Sequence, residues 1–117
     1  MNKKIRGNSM KIFRKINLII CLLIIFLNPI YLQSGKHLKN AISAMEAGLF
    51  KEALKQLDIA EVKEPKNAEV YKLKALLYEA INENQNAISS WNNCLINTND
   101  KNLIKEAKIH IDHLKGY

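Results

Sequence analysis

From residue 36 onward, apolar positions recur at helical spacing and are interrupted at regular intervals by turn residues. This pattern predicts five helices. The first covers about 36–47 and ends at Gly48. The second covers about 50–63, with Leu54, Leu57 and the run from Ile59 to Val62 forming an apolar stripe. After the turn Glu64-Pro65-Lys66-Asn67, the third starts at Ala68 with Asn67 as its cap and reaches about residue 81. The fourth covers about 85–96, where Ile88, Trp91 and Leu95 share a face. The last is capped by Asp100 and carries Leu103, Ile104, Ala107, Ile111 and Leu114. A different pattern precedes them. Residues 16–27 are almost continuously apolar, and Asn28-Pro29-Ile30-Tyr31-Leu32 follow.

The helical part repeats itself. Ala41, Gly48, Ala53, Leu54, Leu57 and Ala60 recur 34 residues later as Ala75, Asn82, Ala87, Ile88, Trp91 and Cys94. A fixed period of that length signifies one helix–turn–helix unit used twice. Small residues fall where two antiparallel helices must approach closely, and Leu57 and Trp91 fill the space beside them. Gly48 and Asn82, at the turn, are the residue types that best tolerate a left-handed backbone.

These positions resemble the tetratricopeptide repeat. Ala41, Gly48, Phe50, Ala53, Leu57, Ala60 and Pro65 fill the family's signature positions in the first unit. Ala75, Tyr78, Ala87, Trp91 and Cys94 do so in the second, where Asn84 replaces the turn aromatic and Asn99 the terminal proline. The resemblance implies an all-α fold of two antiparallel units, 34–67 and 68–101, closed by a capping helix at 102–117. It also implies a groove lined by the first helix of each pair. Carried over position by position, that groove comprises Leu38, Ile42 and Met45, then Lys72, Leu76, Glu79 and Ala80, and finally Glu106, His110 and His113. An apolar beginning of this kind suits an amphipathic helix or an extended apolar segment better than an acidic tail.

Residues 1–33 read as a basic leader followed by a hydrophobic signal or membrane-anchor helix. Lys3, Lys4, Arg6, Lys11, Arg14 and Lys15 precede the apolar run, and residues 1–34 contain no acid. Positive residues, an apolar stretch and a helix-breaking region are the layout of an export signal. The bias of positive charge keeps the N-terminus inside and sends residues 34–117 across the membrane. A retained anchor, cleavage after Ser34 and lipidation at Cys21 are the three fates considered. Residues 16–32 would span about 25 Å as a helix, short of a hydrocarbon core of about 30 Å.

Charge then removes one class of partner. The net charge is +7, but the six basic residues of the leader account for most of it. Residues 35–117 balance twelve lysines against all eleven acids, so no basic stripe exists there to replace counterions along nucleic acid. The abundance of Lys, Asn and Ile suits an AT-rich bacterial genome.

Catalytic chemistry finds no foothold. There is no Gly-rich phosphate loop, no nucleophile beside a base in a known motif, and no paired carboxylates set apart from lysines. His110 and His113 stand one turn apart, yet zinc requires three or four ligands, and they read as solvated histidines. No cofactor or metal is expected. The expected function is a non-catalytic interaction adaptor or scaffold at the bacterial cell envelope, with the repeats on the periplasmic side. Its partner would be another protein or an envelope complex. The alternatives are an accessory role in outer-membrane protein assembly, which the resemblance suggests, and a structural role through homo-oligomers.

Overall fold

In the computed structural model the backbone is described for residues 2–26 and 29–116, and side chains for 11–23 and 35–116. Six helices occupy these residues, and no strand occurs among them: α1 (Asn2–Phe26), α2 (Pro29–Glu46), α3 (Phe50–Lys63), α4 (Ala68–Ala80), α5 (Asn84–Ile96) and α6 (Lys101–Lys115). The fold is all-α. Contacts divide the chain into two units, Met1–Gln33 and Ser34–Tyr117.

In the first unit every described side chain is exposed, including Phe13 at 70% and Leu18 at 64%. Of the anchor expected over residues 16–32, residues 16–26 lie in α1. Leu27 and Asn28 lie outside the described residues, as do the side chains of 24–34. Among the described residues no helix is long and apolar enough to cross a membrane.

The second unit is built from one core motif used twice. Ala41, Leu57, Leu73 and Leu77 belong to a buried cluster formed by α2, α3 and α4. Thirty-four residues on, Ala75, Trp91, Ala107 and Ile111 belong to a second cluster formed by α4, α5 and α6. Helix α4 therefore serves both cores. Leu73 and Leu77 are buried in the first of its two roles and Ala75 in the second, and Val70 is also fully buried. The corresponding positions of α2 are the exposed Lys36, Lys39 and Ser43. The interior needs small residues at the crossings: Ala41, Ala53, Ala60, Ala75 and Ala87 are all fully buried. A larger side chain there would force the helices apart.

The turns carry the same period. Gly48 (φ 72°), Asn82 (φ 61°) and Gly116 (φ 84°) are the described residues with positive φ, and each terminates a helix. In the first two turns the hydrogen-bond pattern is the same. Gly48 N–H donates to Met45 O (3.0 Å) and Leu49 N–H to Ala44 O (2.8 Å). Asn82 N–H donates to Glu79 O (3.0 Å) and Glu83 N–H to Tyr78 O (2.8 Å). These bonds satisfy carbonyls left open at the helix ends.

Helix α6 stands in the register that the carried-over positions Glu106, His110 and His113 imply. It ends at Gly116 in the position of Gly48 and Asn82, so it is the counterpart of α2 and α4. Ile109 occupies the position of Ala41 and Ala75; those two are fully buried, whereas Ile109 is 58% exposed. The outward face of α6, with Lys105, Lys108 and Asp112 around Ile109, is exposed throughout.

The glycine turn gives a prediction. Nothing stands within 4 Å of the place a Cβ would take at Gly48, so the cost of Gly48→Ala is purely conformational. It should be about 1–2 kcal/mol, the penalty of a left-handed backbone with a side chain. Asn82→Gly removes that penalty in the second turn and should leave stability equal or slightly higher. Urea unfolding of the two variants checks both signs; a loss in Asn82→Gly would contradict the reading.

Candidate partner-binding groove

The first helix of each pair places its groove positions in register: Leu38, Lys72 and Glu106; Ile42, Leu76 and His110; Met45, Glu79 and His113. At the α2 end the surface is apolar. Leu38 and Met45 pack half-buried against the first core, and Ile42 is 40% exposed. Leu76 packs half-buried against the second core. Ala80 and His113 are exposed.

Beyond Leu76 the charged positions bond to one another. Lys72 Nζ donates to Glu106 Oε2 at 3.0 Å, across the 34 residues that separate equivalent positions. The Glu79 carboxylate accepts from Trp91 Nε1–H at 2.6 Å and bonds His110 Nδ1 at 2.9 Å. The His110 ring stacks on Trp91 with centroids 4.6 Å apart and planes 28° from parallel. A buried indole must place its N–H on an acceptor, and Glu79 supplies one from the groove side. His110 is thus tied to α4 and α5 rather than solvated as expected. With these charges bonded to one another, Leu38, Ile42 and Leu76 are among the apolar side chains left at the candidate groove positions.

The signature positions sort by burial. Ala41, Ala53, Leu57, Ala60, Ala75, Ala87, Trp91 and Cys94 are fully buried. Phe50 is 37% exposed and Tyr78 half-buried, both beside the turns. Pro65 is exposed, and its carbonyl accepts from the Tyr71 hydroxyl at 2.6 Å. Asn67 and Asp100 cap α4 and α6, accepting from Glu69 N–H at 3.0 Å and Asn102 N–H at 2.9 Å.

A second charged group was not legible in the sequence. Lys74 Nζ donates to Asp58 Oδ1 at 2.9 Å and also to Glu61, joining α4 to α3. Burial alone would lower the Lys74 pKa, but the bonds to Glu61 and Asp58 outweigh it and hold the ammonium above its ordinary range. The hydrogen bond to Glu106 does the same for Lys72, against a smaller opposing effect of burial. Burial pushes the Tyr71 phenol up, helped by Glu61 and opposed by Lys74. It also pushes the Cys94 thiol up, helped by Glu69, so this cysteine is a packed side chain rather than a nucleophile. Cys21 is exposed in the first unit.

All four of these groups hold their protons more tightly folded than unfolded. Their contributions are fully present below the unfolded values and are lost as pH rises through the folded ones. Stability should therefore decline from about pH 9 upward, the thiol first and the lysines last. Urea midpoints measured from pH 7 to 11 check this; a flat profile would refute it.

Among the described residues no three or more His, Cys, Asp or Glu side chains gather as a metal site. No buried side-chain polar atom among them lacks a hydrogen-bond partner. No protein-family model, no curated protein and no solved structure matches this chain.

Proposed function

We propose that the chain is a non-catalytic protein–protein interaction adaptor of the bacterial cell envelope, built from tetratricopeptide-like repeats. The observation that carries this reading is the two-fold use of one core motif, with left-handed turn residues at the same period. Repeating helical pairs of this kind create extended surfaces rather than enclosed pockets. The groove positions Leu38, Ile42, Met45 and Leu76 then engage an apolar helix or segment of one partner. Lys72, Glu79 and His110 hold the neighbouring helices in place. Residues 1–33 act as the leader that takes the repeats to the membrane. Export would place residues 34–117 on the periplasmic side.

Crosslinked affinity purification of the full chain from native membranes tests the adaptor reading. Stoichiometric recovery of one envelope complex is expected. In Ile42→Glu and Leu76→Glu variants that retain the wild-type helical spectrum, recovery should fall at least about tenfold, the effect of burying a charge in an apolar contact. Undiminished recovery in both folded variants would end the groove reading. The mass of the bait's own N-terminal peptide separates a cleaved leader from a retained one and from a lipid on Cys21.

A further inference from the structure

The outward face of α3 lies away from the groove. Lys51, Leu54, Lys55, Asp58, Ile59, Val62 and Lys63 line an open trough there of about 550 Å³. Val62 is 83% exposed, the highest value among the large hydrophobic side chains described. Lys51 and Lys55 make no bond among the described residues. Asp58 is bonded to Lys74 from one side, yet 57% of its side chain remains exposed. An apolar strip under a cationic rim would also suit an anionic lipid surface. The exposed carboxylate at its centre argues against that occupant, since it would be repelled by such a surface.

The order of residues along the helix instead complements itself. Across a two-fold axis midway between Lys55 and Asp58, an antiparallel second α3 sets Lys55 of one copy opposite Asp58 of the other, twice. The same register lays the aliphatic stem of Lys51 along Val62 of the other copy. We propose that this face of α3 is an isologous docking surface for a second copy of the chain, paired antiparallel through reciprocal Lys55–Asp58 bonds and Val62. Isologous contacts of this kind are the commonest way for a chain to dimerise. The proposal does not depend on what the groove holds.

Charge reversal on the full chain in non-ionic detergent, read by sedimentation, tests it. The wild type should show a concentration-dependent monomer–dimer equilibrium. Lys55→Glu sets two carboxylates against each other at both contacts, and Asp58→Lys sets two ammonium groups there. Each alone should weaken the dimer at least about tenfold, and Val62→Glu, at a position 83% exposed, should do the same. An equimolar mixture of Lys55→Glu and Asp58→Lys should restore the dimer, because both contacts are again between opposite charges. Rescue on mixing cannot arise from misfolding, and Lys74 keeps Glu61 when Asp58 is replaced. Any of three results would overturn the proposal. These are a monomer at every concentration, an assembly indifferent to all three substitutions, or a mixture that stays monomeric. So would a wild-type monomer in which amide exchange of α3 slows only when anionic vesicles are added.

Discussion

Trp91→Ala is expected to remove about 3–5 kcal/mol of stability, the range for deleting a large aromatic side chain from a packed core. Trp91 is the largest fully buried side chain described, and it joins three helices. From α5 it packs with Tyr71 and Ala75 of α4 and with Ala107 and Ile111 of α6. Its indole N–H is held by Glu79, and the His110 ring lies on its face. A unit of this size has a total stability of order 4–12 kcal/mol by the usual per-residue range, so the loss is a large part of the whole. Each kcal/mol moves the midpoint of a domain this size by about 4–8 °C, so Tm should fall by more than about 12 °C. Trp91→Phe keeps most of the volume and leaves Glu79 bonded to His110, so it should cost far less. Thermal melts of the two variants by circular dichroism provide the check. An alanine variant melting within a few degrees of wild type would show that the second core does not depend on this side chain.

The counterpart in the first core is Leu57→Ala, with an expected cost of about 2–5 kcal/mol. Leu57 is fully buried among Ala41, Ala44, Ala53, Leu73 and Leu77, where three alanines leave few atoms able to move into the void. The position of the loss carries more information than its size. In a stack each unit depends mainly on its neighbours, so a weakened first core should open before the second. Native-state hydrogen exchange in Leu57→Ala should therefore show lost protection in α2 and α3, with α5 and α6 still protected at the same denaturant concentration. Uniform loss across all five helices would mean that the two cores unfold as one cooperative block.

The helical elements of the second unit were largely legible from apolar spacing and turn residues. Helix α3 covers Phe50–Lys63 as expected, and α4, α5 and α6 begin or end within about a residue of their expected bounds. Helix α2 differs at its start, beginning at Pro29 instead of near residue 36. Leu57 and Trp91 were also recognisable as fillers, because their positions are flanked by alanines at a fixed period. One feature was not legible there, the way His110 is held. His110 read as solvated because its partners, Glu79 and Trp91, belong to two other helices.

What the sequence by itself determined is local: which segments are helical, where each chain reversal falls, and which face of each helix is apolar. These follow from spacing within a turn or two and from the backbone preferences of Gly48, Asn67, Asn82 and Asp100. Only the tertiary structure decided which charges neutralise one another. Lys72 with Glu106, Lys74 with Asp58 and Glu61, and Glu79 with His110 all join different helices. The reason is geometric. A polar side chain on a helix surface has several candidate partners of opposite sign. The stacking of α3, α4 and α6 brings one or two of them within about 3 Å, and that choice is made between helices far apart in sequence.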